Sequence, residues 1–490
     1  MNTKKIFINT VALFLFLTII IGSIPALASD SAELLDLTVN GTKGSLRDGS
    51  FNTYSKVTSA LTLSSAESIS SIYIIFRNEA VPFTVSDGSS SVRFENNFLQ
   101  YYAKLEKISS NTVTLTFDKE VNICDIYAFK EGTLPDFVHQ WELPHEKADL
   151  LLFSSHADDE QLFFAGVLPY YAGAMGYRVQ VTYFTDHINE PGRRQELLNG
   201  LWTVGVRNYP VISNFPDEYS ESYDWALSNL KKHGFTEDDV IAHQTEQIRR
   251  FKPLVIVGHD LNGEYGHGQH MLNSEALIKA VEAAKDASMY TASAQSHGTW
   301  DTPKLYLHLY EKDPIVMNWD IPLDAFDGKT AFQMTQQGFL CHKSQQFTWF
   351  NEWMNGKAKD RTMASQITHL SPCNYGLYRT TVGADTLKND FFENITIYAE
   401  QERIAAEEEA KRLEEEKRRQ DEESRRAEES RLAEESNQTE LGTNNTTATD
   451  NTDSLSTEEA VFFAVIIVVA VTTIISVLSV FSSKSKKKKR

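Results

Sequence analysis

The sequence ADLLLFSSHADDEQLFFAG, residues 148–166, passes abruptly from an apolar run to a cluster of polar side chains. The run ADLLLF is typical of a buried strand. One histidine and three carboxylates follow within five positions: His156, Asp158, Asp159 and Glu160. Like charges packed that closely repel one another unless a cation or a proton lies among them. The stretch therefore predicts a buried strand that ends at a cation site.

Residues 146–397 continue with short apolar runs that alternate with amphipathic segments. β-branched runs predict strands, and apolar spacings of three and four predict helices. The predicted strands are residues 148–153, 179–184, 208–212, 253–258 and 304–310, and the predicted helices are residues 160–174, 193–205, 236–251 and 273–287. This alternation indicates an α/β domain with a mainly parallel sheet.

Residues 30–142 differ, because clusters of Gly, Ser, Asn and Asp separate β-branched runs there. The runs SIYIIF (71–76), TVTLTF (112–117) and ICDIYAF (123–129) predict an all-β sandwich. The stretch SLRDGSFNTYSKV, with its strand-rich remainder, resembles the discoidin-like or galactose-binding-like modules of extracellular carbohydrate enzymes. The resemblance implies glycan binding. A packing domain without a ligand is the other interpretation, and both stay open.

The two ends of the sequence predict the compartment. Residues 1–28 combine early lysines, an apolar stretch and a final Ala-Leu-Ala, which is typical of a cleaved signal peptide, with an uncleaved anchor as the alternative. Residues 460–481 are uncharged and long enough to span a bilayer as a helix. The basic residues 482–490 then predict a cytoplasmic tail. Everything between the two segments is expected outside the cytosol.

A charged segment and a polar segment precede the predicted span. Residues 398–436 are rich in helix formers and in opposite charges at helical spacing, which predicts a solvated helical stalk. Residues 437–459 are polar and predict a flexible linker. Together these segments would hold the folded part away from the membrane.

Charge and cysteine content narrow the possible partners. The formal net charge of −20 argues against nucleic acid, because phosphate binding needs a clustered basic face. Three cysteines, Cys124, Cys341 and Cys373, are too few for a disulfide-built scaffold. A pair between Cys341 and Cys373 and unpaired buried thiols are both open.

A second polar cluster follows the predicted strand 253–258. The sequence GHDLNGEYGHGQH, residues 258–270, offers His259, His267 and His270, with Asp260 and Glu264 between them. Ligands of parallel sheets gather at the carboxyl edge, so the two clusters are expected to meet. His156, Asp159 and His270 supply three ligands for a catalytic zinc. Asp158 is then left free to take a proton from water, which favours hydrolysis of an amide or ester.

Other routes to hydrolysis are not indicated. The sequence has no G-x-S-x-G elbow, no H-E-x-x-H helix and no P-loop. No glycine-rich dinucleotide turn follows residues 148–153. Metal-dependent hydrolysis remains.

The two clusters resemble the signatures of the PIG-L/LmbE-like de-N-acetylases. SSHADDE resembles [A/S]-H-P-D-D-E, and HDLNGEYGHGQH resembles H-D-x-x-G-E-Y-G-H-x-x-H. The likeness continues through TDH (185–187), RRQELLNGLWTVGV (193–206) and HKSQ (342–345), and covers about residues 147–396. It implies a Rossmann-like sheet and a zinc enzyme that removes acetyl groups from N-acetylglucosamine units or related amides.

The resemblance also implies roles for individual residues. His156, Asp159 and His270 would bind zinc, and Asp158 would be the general base. His267 would stabilise the oxyanion or protonate the leaving amine, with help from Tyr265. Arg193 would contact substrate, with a surface ion pair as the alternative. Glu160 and Glu264 would orient ligands, with a solvated position as the alternative.

Two departures from the signatures leave every proposed ligand in place. Ala157 replaces the usual proline, and Gly268-Gln269 replaces the common Pro-Asp. The absence of that aspartate leaves open what charge lies beside His270.

The sequence as a whole therefore predicts an extracellular zinc de-N-acetylase held in the cell membrane by one C-terminal helix, with an N-acetylated sugar or glycan as substrate. A bacterial surface is favoured by the plain basic tail and the sparse cysteines. Two alternatives stay open. One is an inactive glycan-binding surface protein, and the other is a zinc hydrolase of a different amide or ester.

Overall fold

The computed structural model describes residues 32–42, 46–95, 98–347, 352–359 and 361–442. The expected signal peptide (1–28), membrane span (460–481) and basic tail (482–490) lie outside the described residues. Among the helices that the described residues form, none is both long and apolar enough to cross a membrane.

The N-terminal region forms two antiparallel sheets, with strand orders β1-β3-β8-β5-β6 and β2-β9-β4-β7 among the described residues. The strands are β1 (Thr38–Asn40), β2 (Ser55–Val57), β3 (Ala60–Ile69), β4 (Ser71–Phe76), β5 (Phe83–Ser86), β6 (Ser91–Phe94), β7 (Gln100–Lys104), β8 (Ser110–Phe117) and β9 (Val121–Phe129). Alternate residues such as Leu61 and Leu63 of β3 and Ile72 and Ile74 of β4 are buried in one cluster. The period of two in the sequence therefore produces a core shared by both sheets.

The second region is an α/β domain, as the sequence predicted. Its described strands are β10 (Leu150–Ser154), β11 (Val179–Thr185), β12 (Val211–Phe215), β13 (Val255–Gly258), β14 (Lys304–His308), β15 (Pro314–Val316) and β16 (Asn374–Thr380). They form one sheet in the order β12-β11-β10-β13-β14-β16-β15. Strands β10 to β14 all run parallel to one another, whereas β16 runs antiparallel to both β14 and β15. The carboxyl ends of β10 to β13 therefore meet at one edge.

Helices cover both faces of this sheet. The described α-helices are α1 (Asp159–Leu162), α2 (Pro191–Thr203), α3 (Tyr223–Lys232), α4 (Glu237–Phe251), α5 (Gly268–Ala284), α6 (Thr291–His297), α7 (Ala331–Phe339) and α8 (Tyr398–Gly442). Leu151 and Phe153 of β10 pack in one cluster with α4 and α5. Leu150 and Leu152 belong to the cluster that contains α2 and α7. A central strand buried on both faces explains the continuous apolar run ADLLLF.

Several predicted elements differ in their bounds from the structure, and two of these differences have an identifiable cause. The predicted strand 208–212 begins later, at Val211, because Pro210 has no N–H to donate to the ladder. The predicted helix 160–174 is broken into the short helix α1 and a π-helix, Leu168–Ala174. Gly166 interrupts it with a φ of +90°, and a Cβ there would lie 2.3 Å from the Trp319 ring. The close approach of that ring requires glycine at this position.

The C-terminal helix α8 extends beyond the expected stalk, because residues 437–442 are helical rather than part of a linker. Side chains of residues 401–436 are exposed. Ion pairs at a spacing of three, such as Arg412 with Glu409 and Arg431 with Glu428, support a solvated helix. The rest of the predicted linker, residues 443–459, lies outside the described residues.

The three cysteines are free thiols. The possible pair between Cys341 and Cys373 is therefore not formed.

The sandwich is joined to the α/β domain mainly through α2. Arg194 Nη1 and Gln195 Nε2 donate to the carbonyls of Asn78 and Phe76 at 2.7 and 2.6 Å. Gln100 Nε2 donates to Asn199 Oδ1 at 2.8 Å, and Gln100 Oε1 lies 2.8 Å from His139 Nδ1. The sandwich thus contacts the helix that begins beside the polar cluster of β10.

Replacing the buried Gln100 by alanine is expected to lower the free energy of unfolding by about 3 kcal/mol, because several polar groups lose their partner in a buried interface. Urea denaturation with a readout of the whole chain measures the change. Gln337→Ala, on the exposed side of α7, is the matched control and should change stability by under about 0.5 kcal/mol. A Gln100→Ala protein as stable as this control would contradict the expectation.

Candidate metal centre

The two polar clusters meet at the carboxyl edge of the parallel sheet. His156 and Asp159 follow β10, and His270 lies in the first turn of α5 after β13. His156 Nδ1 lies 3.1 Å from His270 Nε2 and 3.1 Å from Asp159 Oδ2. The separation between His270 Nε2 and Asp159 Oδ2 is also 3.1 Å. The structure therefore brings together all three residues that the sequence proposed as metal ligands.

Hydrogen bonds around this triangle fix which atoms carry protons. Gln269 Nε2 donates to the Pro216 carbonyl at 2.7 Å, so Gln269 Oε1 faces His156 Nε2 at 2.9 Å and accepts its proton. His270 Nδ1 donates to Glu264 Oε2 at 2.7 Å. The lone pairs of His156 Nδ1 and His270 Nε2 therefore point into the triangle. Gln269 stands at the position of the missing aspartate, and its side-chain oxygen thus accepts the proton of His156 Nε2.

While both imidazoles are neutral, their two lone pairs and the carboxylate oxygen cannot satisfy one another, because all three are acceptors. A cation at the centre removes the repulsion. Tetrahedral zinc with ligands at about 2.0–2.1 Å holds its ligand atoms about 3.3 Å apart, close to the separations found here. The donor set and spacing fit zinc, and His156, Asp159 and His270 would hold it.

A different triad, Asp159, His259 and His270, is also close enough to hold an ion. His259 is already satisfied on both ring nitrogens. Its Nε2 accepts the Ser155 N–H at 2.9 Å, and its Nδ1 donates to Glu264 at 2.8 Å. We therefore assign His259 to the support of the site rather than to the metal.

Glu264 is the carboxylate that holds the histidines in position. Its Oε2 accepts from His259 and His270, and its Oε1 accepts from His308 Nδ1 at 2.7 Å and from the Asp260 N–H. Burial alone would raise the pKa of Glu264, but these donors hold it well below its usual range. The side chain is fully buried, so its solvated alternative is wrong.

Replacing Glu264 by glutamine is expected to weaken zinc binding by about 10- to 100-fold, since an amide cannot accept from three imidazoles and His270 loses its orientation. Competition with a chromogenic chelator measures this affinity. Glu282→Gln, on the exposed side of α5, is the matched control. Equal affinities for the two variants would show that Glu264 does not orient the ligands.

Asp158 lies beside the triangle without being part of it. Its backbone has a φ of 139°, an uncommon conformation for a residue with a side chain. The Asp158 N–H donates to Glu160 Oε2 at 2.9 Å, and Asp158 Oδ1 accepts from Arg193 Nη2 at 3.3 Å. Burial raises the pKa of the Asp158 carboxyl to about 7, despite the opposing charge of Arg193. A role for Asp158 as general base stays a prediction.

Glu160 is in turn held from a distant part of the chain. His342, at the start of the HKSQ segment, is fully buried with Nε2 2.8 Å from Glu160 Oε1. Ser344 Oγ donates to Glu196 of α2 at 2.5 Å, which fixes the same segment. Glu160 therefore supports the Asp158 backbone rather than contacting solvent.

Arg193 points into the site instead of lying on the helix surface. Its side chain is 11% exposed, with Nη1 donating to Asp217 Oδ2 at 3.0 Å and Nε donating to the Ala157 carbonyl at 3.3 Å. The guanidinium is therefore mostly buried, although its Nη1 also lies 3.5 Å from the exposed Glu190, as the ion-pair alternative expects. Contact with substrate stays a prediction.

Sequence reasoning missed Asp217 and the role of His187. Asp217 Oδ1 lies 3.4 Å from His156 Nε2, and Asp217 Oδ2 lies 2.8 Å from His187 Nδ1. His187 Nε2 accepts the Ala157 N–H at 2.9 Å. Asp217 lies two positions after the end of β12, and an acidic residue at that place was the sequence signal that could have revealed it. His187, Glu190 and Asp217 could also hold an ion, but Arg193 already neutralises this group.

His267 and Tyr265 lie beside the ligands. The His267 ring stacks on that of His270 at 4.6 Å between centroids, and Nδ1 accepts the Gln269 N–H at 3.2 Å. Burial and the neighbouring His270 hold the pKa of His267 far below its usual range, so the ring is neutral with its proton on Nε2. Tyr265 is 42% exposed and has a φ of 48°. Tyr219, also exposed, meets His267 edge-on at 5.2 Å.

The part of the chain that carries both polar clusters is similar to known proteins. Residues 151–281 match the family model described as GlcNAc-PI de-N-acetylase, PIG-L. A 1D-myo-inositol 2-acetamido-2-deoxy-alpha-D-glucopyranoside deacetylase of Catenulispora acidiphila is 28% identical over 182 residues, which are 32% of this chain and 54% of that protein. The enzyme of the same description from Rhodococcus erythropolis is 33% identical over 187 residues, 33% of this chain and 61% of that protein. The chain thus spans little more than half the length of these relatives.

A solved structure of N,N'-diacetylchitobiose deacetylase from Pyrococcus horikoshii aligns with a TM-score of 0.34 and 17% identity, covering 48% of this chain and 84% of that one. The family match and the curated relatives support the resemblance carried by the two clusters. Residues 151–281 are thus similar to the PIG-L family, and this part of the chain resembles the PIG-L/LmbE-like de-N-acetylases.

Proposed function

We propose that this protein is a zinc-dependent hydrolase that removes the N-acetyl group from an N-acetylated sugar of the GlcNAc type. The observation that carries the proposal is the convergence of three acceptor atoms at 3.1 Å, with Asp158 beside them and outside the ligand set. The named relatives act on a 2-acetamido-2-deoxy-glucopyranoside, which supports this substrate class.

Different residues of the chain have separate roles in the proposed reaction. A bound zinc ion supplies Lewis acidity and lowers the pKa of a water molecule. The Asp158 carboxylate takes a proton from the attacking water, and Arg193 holds that carboxylate in place. His267 Nε2–H donates to the acetamide oxygen as negative charge develops there. Asp158 then passes that proton to the amide nitrogen as the C–N bond breaks, which releases acetate and a free amine.

The test measures zinc per chain and acetate release from N-acetylglucosamine and its oligomers, with Asp158→Asn as the comparison. The proposal expects one zinc per chain and acetate release that depends on Asp158. Zinc without acetate, together with glycan binding, would favour an inactive glycan-binding protein. Zinc with hydrolysis of other amides or esters, but not of N-acetyl sugars, would favour a different hydrolase.

We further propose that the PIG-L domain acts outside the cytosol, held by residues 460–481 in the cell membrane, with a bacterial surface favoured. The apolar run and the basic residues 482–490 support this orientation. Protease treatment of intact cells should release the folded part. Complete protection of the protein in intact cells would overturn the proposal.

A further inference from the structure

We infer that the substrate is an oligosaccharide chain rather than a single sugar, bound in a groove that runs from the metal centre along the carboxyl edge of the sheet. The inference rests on the proposed function and names the substrate class of the same site. Two adjoining cavities, of about 310 and about 620 Å³, form the groove. They share Asn214 and Phe235 in their walls.

The smaller cavity adjoins the metal centre through two supporting residues, and none of the three proposed ligands lines it. Asp217 and His187 line it, and Asp217 also contacts His156 and Arg193. Its other walls come from the loop after β11 and from the segment after β12. A sugar with its acetamide at the metal centre would reach this cavity past Asp217, and Asn214 lies in the wall of the same cavity.

The larger cavity continues from Asn214 between α4 and α6. Its walls include His243 and Glu246 of α4 and Tyr290 and Ser293 near the start of α6. At 310 Å³ the first cavity is at the lower end of the range for a ligand site, whereas the second is twice as large. Together the two cavities offer more volume than one sugar needs.

The walls carry the chemistry that recognises sugars. Asn214 is exposed, and its amide makes no hydrogen bond within the described ranges. His243 Nε2 has no hydrogen-bond partner among the residues that the structure describes. The half-buried Phe235 ring packs edge-on against Phe215 at 5.2 Å. Amide and imidazole groups bond hydroxyls, and an aromatic face packs against the apolar face of a pyranose ring.

The other large cavity, of about 650 Å³, does not suit this role. It is lined by residues such as Ile278, Leu305 and Arg379. Leu305 lies near the amino end of β14, on the side of the sheet away from the metal centre. A chain bound there could not present an acetamide to His156 and His270. Tyr378 in this cavity therefore offers a matched control.

The experiment compares acetate release by the zinc-loaded full chain from N-acetylglucosamine and from its β-1,4-linked pentamer. We expect kcat/KM to be at least about tenfold higher for the pentamer. Asn214→Ala and Phe235→Leu should each raise KM for the pentamer by about threefold to tenfold and leave the monosaccharide reaction unchanged. Tyr378→Leu should leave both reactions unchanged.

Each outcome separates the two levels of the proposal. Equal kcat/KM for the two substrates, with no effect of Asn214→Ala or Phe235→Leu, would overturn the groove while leaving the deacetylase intact. Equal losses on both substrates would also overturn it, because the residues would then act on the reaction rather than on the chain. Failure to release acetate from either substrate would overturn the proposed function itself.

Discussion

Replacing His270 by alanine is expected to abolish stoichiometric zinc binding and to lower acetate release by about a thousandfold or more, since metal catalysis contributes several kcal/mol. His270 supplies one of three donor atoms, and its Nδ1–H joins the triangle to Glu264. The variant would leave only His156 and Asp159, too few for a catalytic zinc site. Zinc analysis after dialysis and an acetate assay measure the two effects.

A matched control distinguishes the loss of a metal ligand from the effect of removing any histidine. His369 is exposed, and His369→Ala should retain zinc and activity. Circular dichroism of both variants checks that the fold is kept. A His270→Ala protein that binds zinc as tightly as the wild type would show that the ligand set proposed here is wrong.

Asp158→Asn is expected to lower kcat by about 10²- to 10⁴-fold while zinc content and KM stay near the wild-type values, because a carboxamide cannot take a proton from water. Asparagine is the appropriate replacement. It keeps the size of the side chain and tolerates a positive φ better than alanine does, and residue 158 has a φ of 139°. Steady-state kinetics with zinc analysis provides the measurement.

Asp158→Gly tests whether backbone conformation contributes. Glycine adopts this φ without strain, so the fold should be at least as stable as that of the wild type. We expect activity as low as that of Asp158→Asn, since both lack the carboxylate. Wild-type kcat in either variant would exclude Asp158 as the base.

The arrangement explains how a site rich in charge is stable inside the protein. Buried charges are costly unless each is paired and hydrogen-bonded. Glu264 accepts from three imidazoles, and Asp217 lies between His187 and Arg193. Asp159 Oδ2 accepts the backbone N–H of His156 at 2.7 Å. These fixed partners hold the three proposed ligand atoms in position.

Part of the fold could be read from periodicity. Strand β4 matches the run 71–76, because alternating or continuous β-branched residues report burial directly. The helix predicted at 160–174 failed for a nonlocal reason. Its apolar residues keep a helical spacing, but the Trp319 ring approaches Gly166 from a segment about 150 residues away. No local pattern contains that contact.

By itself, the sequence determined that two polar clusters follow buried parallel strands, and that His156, Asp159 and His270 supply compatible ligand types. That both clusters meet at the carboxyl edge follows from the rules of parallel sheets. Only the tertiary structure decided which ring nitrogens face inward, that Gln269 and Glu264 fix them, and that Asp217 and His342 support the site. These contacts join residues far apart in the chain, so their distances and proton positions exist only once the elements have packed.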